Sequence, residues 1–260
     1  FDGNGKNGHL ISRYVTKYFN DYFLIKENVI DIIDIIKDKE KFNKHIFERT
    51  DKFIKNSQNN LDIKLNKGVE FNINKSGTTS LLLLLIEDKI ICSNIGDSRC
   101  VLFTCSDEEK WDFIELSQVH NPTDEEEKIR ILKMGGEIHP YYDQHRNYDG
   151  PDRIYEKGKP YPGLSLSRTV GDLDAKRIGI ISEPSITNIN IESTYKYIVM
   201  GSDGLWDQIK PYDVIRIVRP YFYRNNPNGA CQALLKKAKQ SWDKSLEERD
   251  DITLIVIFIE

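Results

Sequence analysis

An α+β fold of stacked layers is what this 260-residue sequence predicts. Short apolar runs follow one another across tight turns, as antiparallel strands do: Ser80–Ile86, Ile90–Asn94, Cys100–Thr104 and Trp111–Leu116, joined at Glu87–Lys89 and Gly96–Ser98. Helical periodicity arrives in pairs of segments, so no βαβ unit is written into the chain. The last apolar run, Ile252–Ile259, is strongly β-branched and closes the chain as a strand.

Composition sets the bounds. The hydrophobic share of 39% suffices for a core at this length, and a net charge of −4 argues against a nucleic-acid binder driven by a basic patch. No apolar run reaches membrane length. Cys92, Cys100, Cys105 and Cys231 lack CxxC spacing and read as reduced, buried thiols of an intracellular protein, cytoplasmic or nuclear. No break in composition divides the chain, so 1–260 reads as one domain, acting as a monomer. It opens without an initiator Met in what looks like the end of a strand, and is expected to be a segment whose first strands lie upstream.

Taken in order, Leu10, Ile11, Tyr14, Val15, Tyr18, Phe19 and Tyr22 recur at helical spacing and predict an amphipathic helix over 8–23. Further helices are predicted near Val29–Ile36 and over Lys41–Ile54; His45 beside the latter's apolar stripe reads as a surface or core histidine rather than a ligand. The unbroken Leu81–Leu85 run predicts a strand buried on both faces. Thr123 is expected to cap a helix in a box with Glu126, with Ile129, Leu132 and Met134 following and Gly135–Gly136 stopping it. His120 reads as structural. Residues 139–162, rich in Tyr, Asp, Gly and Pro, read as a long loop, either a flap over a cleft or a solvated surface. Ser165 and Ser167 have no histidine placed to act as base, which excludes a Ser-His-Asp triad. Strands over Ile186–Ile191 and Tyr197–Met200 and helices over 211–218 and Ala230–Trp242 complete the reading.

The chemistry concentrates in aspartate turns. Ile198–Met200 reads as a buried strand ending in Gly201–Ser202–Asp203–Gly204–Leu205–Trp206–Asp207, with the glycines easing the turn and both carboxylates able to converge if a helical turn begins there. Alone, this is also what a strand, a turn and a capping Asp look like. Asp2–Gly3, Asn94–Arg99 and Arg249–Asp251 repeat the pattern beside three other apolar segments. Hard oxygen donors at strand ends are what Mg²⁺ or Mn²⁺ requires, and an antiparallel scaffold builds a two-metal hydrolytic site that way.

The ordered set Phe1–Asp2–Gly3–x–Gly5, Ser76–Gly77–Thr78–Thr79, Asn94–x–Gly96–Asp97–Ser98–Arg99, Gly163–Leu164–x–x–Ser167–Arg168–x–x–Gly171–Asp172, Ile181–x–Glu183–Pro184, Ser202–Asp207 and Arg249–Asp250–Asp251 resembles the metal-dependent serine/threonine protein phosphatases of type 2C. Gly5–Lys6–Asn7–Gly8–His9, Gly150–Pro151–x–Arg153–Ile154 and Pro162–Gly163–Leu164 are similar to the plant-like branch of that family. The resemblance implies a four-layer α-β-β-α sandwich with two central antiparallel sheets and two Mg²⁺ or Mn²⁺ ions. It implies Asp2, Asp203 and Asp250 as their carboxylate ligands, and the Gly3 carbonyl as another. Asp97 and Asp207, with Asp203, match residues that hold a weaker third ion. The implied reaction is attack of a metal-bridging water on phosphoserine or phosphothreonine of a protein substrate, without a phosphoenzyme. Three positions depart from the pattern. Asn4 stands where the family places its general-acid histidine. The family's phosphate-binding arginine and a further acidic residue would lie upstream of Phe1. Val119 stands where the family often has an acidic residue. The alternative readings are a catalytically silent relative that binds metal or a phosphoprotein partner, and an interaction domain without metal.

Overall fold

A computed structural model describes residues 1–24, 72–86, 88–142, 148–245 and 249–259. The helices expected at 29–36 and 41–54, with His45, lie outside the described residues. The fold is α+β, with helices and antiparallel sheets as the strand pattern predicts. The chain divides into two compact units, Phe1–Ser80 with Val119–Pro184, and Leu81–Gln118 with Ser185–Glu260.

In the first unit, β1 (Gly3–Asn4), β2 (Gly77–Thr78) and β10 (Val170–Gly171) form a small antiparallel sheet in the order β1-β2-β10. Helix α1 spans Gly8–Leu24 and buries Ile11, Val15 and Phe19, one residue per turn, as the periodicity predicts. Phe1 stacks on Phe19 at 5.7 Å. A Cβ on Gly3 would stand 2.3 Å from the Gly8 carbonyl carbon, so the start of α1 lies on β1 only because both residues are glycine.

Two expectations are corrected here. Helix α2 (Glu125–Lys133) is capped by Asp124, whose side chain accepts from the Glu126 and Glu127 amides. Thr123 instead turns its hydroxyl to Asn121. A carboxylate cap also meets the helix dipole more favourably than a hydroxyl. The face α2 buries holds Ile131 and Glu127, while Ile129, Leu132 and Met134 are about half exposed. Residues 139–162 are not one loop. β7 (Gly136–Tyr142), β8 (Tyr148–Glu156) and β9 (Pro162–Leu164) form an antiparallel sheet in that order. Pro140 and Pro151 fit its pattern because the ladder is irregular between Pro140 and Tyr142 and Pro151 stands on an exposed position. Ile131, Ile154, Ala175, Ile178 and Ile180 form the local core.

In the second unit, β11 (Ser185–Asn190), β4 (Lys89–Ile95) and β3 (Ser80–Ile86) form one sheet, and β13 (Leu254–Phe258), β12 (Tyr195–Gly201), β5 (Arg99–Cys105) and β6 (Trp111–Glu115) another, each in that order. Side chains of the four-stranded sheet alternate between two cores. Cys100, Leu102, Ile198 and Met200 join Ile90 and Cys92 of β4. Val101, Phe103, Tyr197 and Val199 join Leu205, Trp206 and the inner faces of α4 (Pro211–Phe222) and α5 (Pro227–Trp242). This unit therefore stacks a helix pair on one sheet and that sheet on a second.

Two further expectations change. β3 is an edge strand, its Leu81–Leu84 half-buried and Leu85 46% exposed, so an unbroken apolar run does not here mean burial on both faces. β4 and β5 belong to different sheets, so the Gly96–Ser98 turn carries the chain between layers instead of closing a hairpin. Cys92, Cys100 and Cys105 are buried free thiols, and Cys231 is a half-buried one.

Candidate metal centre

The aspartates of the second unit sit where strands end. Asp203 begins the short helix α3 (Asp203–Trp206) directly after β12. Its Oδ1 accepts from the Gly204 amide at 2.7 Å, and the Asp207 amide donates to the Asp203 carbonyl at 2.9 Å, closing the predicted helical turn. This turn is bound to the segment that carries Asp250. Ser202 N donates to the Thr253 carbonyl at 3.0 Å, and Ser202 Oγ to the Asp251 carbonyl at 3.1 Å. A Cβ on Gly204 would stand 2.3 Å from that same carbonyl oxygen. Gly204 is thus required for close approach, since its backbone dihedrals are ordinary. Asp250 is exposed, and its Oδ1 accepts from the Asp251 amide. Asp97 lies in the turn between β4 and β5. Two residues on, the Arg99 carbonyl accepts from Trp206 Nε1 at 3.2 Å and the Arg99 guanidinium lies 5.0 Å from the Trp206 ring. The turns of Asp97, Asp203 with Asp207, and Asp250 are thereby tied together within one unit.

Asp2, Gly3 and Asn4 belong to the first unit. The Thr78–Thr79 pair grips the main chain of Asp2: Thr79 N and Thr78 Oγ1 both donate to the Asp2 carbonyl at 2.8 Å, and Asp2 N donates to Thr79 Oγ1 at 2.9 Å. This explains chemically why two threonines follow Ser76–Gly77. Gly3 and Asn4 pair with Thr78 and Gly77. Asn4 Nδ2 donates to Asp172 Oδ2 at 2.9 Å, and Thr169 Oγ1 donates to the same oxygen at 3.0 Å. Asp172 is 3% exposed. A Cβ on Gly77 would stand 2.1 Å from that oxygen, so glycine is what leaves room for the pair.

Sequence reasoning missed a second polar cluster. Glu127 is fully buried and accepts from both terminal nitrogens of Arg130 at 2.7 and 2.6 Å, from Arg168 Nη2 at 2.7 Å, and from Ser167 Oγ at 2.5 Å. Burial opposes its charge, but the hydrogen bonds from Arg130, Arg168 and Ser167 outweigh it and hold the carboxyl well below its ordinary range. Ser167 is consumed here, consistent with its rejection as a nucleophile. His120, fully buried, accepts from Ser167 N through its carbonyl. Burial and the nearby Arg168 charge push its imidazole down to about 3. The only signal for this cluster was the i, i+3 spacing of Glu127 and Arg130, which a surface pair shares.

The donors suit a hard divalent ion in kind: carboxylates, a main-chain carbonyl and one orphaned amide oxygen, Asn4 Oδ1, which is buried with no hydrogen-bond partner among the described residues. Among the described residues no three His, Cys, Asp or Glu side chains gather closely enough to hold a metal.

Antiparallel sheets with flanking helices and aspartates at strand ends define a class, and comparison with known proteins gives its identity. The family profile Protein phosphatase 2C matches residues 7–244, and the chain belongs to that family, a class of protein serine/threonine phosphatases. Probable protein phosphatase 2C 72 of Arabidopsis thaliana is 27% identical over 264 residues, spanning all of this chain and 75% of the relative. Probable protein phosphatase 2C 34 of the same plant is 29% identical over 262 residues, spanning 99% and 70%. Among solved structures, the serine-threonine phosphatase 2C of Toxoplasma gondii superposes with a TM-score of 0.66 at 19% identity, covering 96% of this chain and 77% of that one. A C. elegans sex determining protein does so at 0.69 and 19%, covering 99% and 54%. The structural likenesses support the fold. Among the described residues no helix is long and apolar enough to cross a membrane.

Proposed function

We propose that this chain hydrolyses phosphoserine and phosphothreonine on protein substrates at a centre of two Mg²⁺ or Mn²⁺ ions. The observation that carries the reading is that Asp2, Asp97 and Asp203 each lie beside the end of a strand and Asp250 on the segment that leads into β13, within collinear motifs of one family. Asp2, Asp203 and Asp250 would hold the two ions with the Gly3 carbonyl, and Asp97 and Asp207 would join Asp203 around a weaker third. Bound there, the ions would supply a hydroxide-like nucleophile at neutral pH and neutralise phosphoryl charge. The match over residues 7–244 supports one catalytic domain across 1–260. The intracellular, monomeric state expected from the sequence stays part of this reading.

The chain's own contribution to the leaving group is the weak point. Asn4 holds the general-acid position, and an amide has no proton to transfer at a useful pKa. Its Nδ2 is also engaged with Asp172. Loss of general acid help slows such a step by on the order of 10²–10⁴. The same observation favours the second reading, a phosphatase-like domain that binds metal or a phosphoprotein without turnover.

Phosphate release from a phosphothreonine peptide, with Mn²⁺ or Mg²⁺ and with EDTA, tests the proposal. Metal-dependent release that disappears in Asp203→Asn supports hydrolysis at this centre. Release that survives in Asp203→Asn, or no release while metal binds, overturns it, and the latter leaves the binding reading.

A further inference from the structure

Asn4 has one end fixed and one end unsatisfied. Its Nδ2 must face Asp172, because a carboxylate oxygen only accepts. Asp172 is itself held on several sides. Its amide donates to the Ser76 carbonyl at 2.8 Å, its Oδ2 accepts from Thr169, and its backbone sits in the left-handed region at φ 46°, ψ 49°. Such a conformation in a non-glycine residue persists where its surroundings determine it. The orientation of the Asn4 amide is therefore set from outside the side chain, and Oδ1 is the end left over. That oxygen is buried without a hydrogen-bond partner among the described residues. Leaving a buried acceptor unmet is costly, so a partner is called for.

Asp2 directly precedes β1 and its carbonyl carries the pairing on to the Thr79 amide, and residues two apart along such an extended run lie on the same side, as Asp2 and Asn4 do here. A neutral amide oxygen beside a carboxylate is a combination that Mg²⁺ and Mn²⁺ accept. We propose that Asn4 Oδ1 is a ligand of the metal ion that Asp2 would hold, oriented by Asp172. Asn4 then does more than lack a proton. It exchanges a group that serves the leaving oxygen for one that holds metal. This rests on the metal-centre reading above.

The test measures metal binding, not turnover. Mn²⁺ and Mg²⁺ affinities are compared by calorimetry for the wild-type chain, Asn4→Ala and Asn4→His, with circular dichroism as the check on folding. Asn4→Ala should lose roughly tenfold or more in affinity for both ions, on the scale that ligand-shell changes produce. If Asn4→Ala does not fold, Asn4→His carries the test, with Mg²⁺ affinity expected to fall at least as far because imidazole is a poor Mg²⁺ ligand. Wild-type protein carrying carbon-13 at its asparagine side-chain carbonyls should show a hyperfine coupling to bound Mn²⁺ that the variant lacks. Equal affinities, or no such coupling, overturn the assignment while the metal centre stands. A wild-type chain that binds neither ion overturns both.

Discussion

Trp242 Nε1 donates to the Gly204 carbonyl oxygen at 2.7 Å, a buried bond between the last residue of α5 and the short turn on which Asp203 sits. Together with the close approach of Gly204 to the Asp251 carbonyl, it fixes that turn from two directions. In Trp242→Phe the carbonyl is left unmet in a dry place. Urea unfolding should show a loss of about 1–3 kcal/mol from the orphaned acceptor. A fully stable variant would show that the turn does not depend on this bond.

The room beside Asp172 should be equally unforgiving. Gly77→Ala puts a methyl group 2.1 Å from Asp172 Oδ2 and 2.3 Å from Thr169 Oγ1. Neither side chain is free to swing, since each holds the other. Overpacking of this kind costs about 1–3 kcal/mol, read as a lowered Tm. Gly77 has no left-handed φ, so the loss would report this contact and not backbone strain. An unchanged Tm in Gly77→Ala would refute the steric account.

Glu127 neutralises parts of two guanidinium groups, and their side chains are only 24% and 13% exposed. Replacing it with Ala leaves those charges with carbonyl partners but without this counter-charge and should cost about 3–5 kcal/mol. Its folded pKa lies below the ordinary 4.5, so the unfolded chain takes up its proton first as pH falls. The stability it contributes is complete above the ordinary value and drains away as pH drops from there through the depressed one. Glu127→Gln should flatten that acid limb. An unchanged limb in denaturation curves below pH 4.5 would contradict this.

His120 acts in a separate window. It is uncharged when buried, with a folded pKa of about 3 against an ordinary 6.5. Between those values the unfolded state binds the proton and the folded state does not, so stability is full above pH 6.5 and falls steadily toward pH 3. His120→Asn should remove that slope while leaving the Glu127 limb below it. A slope that persists between pH 6.5 and 4.5 in the variant would assign the titration to another group.

Much of the fold could be read from the chain because its periodicities are strong. The stripe of Ile11, Val15 and Phe19 gave α1, and the alternating cores of β5 and β12 rest on β-branched and aromatic runs that read as strands. What failed depends on neighbours that a linear pattern does not name. An apolar run such as Leu81–Leu85 looks the same at an edge as at a centre, and only the partner strand decides. Prolines and glycines over 139–162 mimic a loop because β7, β8 and β9 make an irregular sheet. Asp124 outcompeted Thr123 as a cap one residue later than expected. The aspartate turns were legible as motifs. The Asn4–Asp172 pair was not, since 168 positions separate its members and only the β1-β2-β10 sheet brings them together.

The most direct test of the account compares turnover of the wild-type chain with Asn4→His on one phosphothreonine peptide at saturating Mn²⁺. The account predicts slow metal-dependent phosphate release from the wild type and a kcat higher by on the order of 10² or more in the variant, as a returned general acid provides. Two inert proteins that both bind Mn²⁺ would contradict it and make this chain a phosphatase-like binding domain.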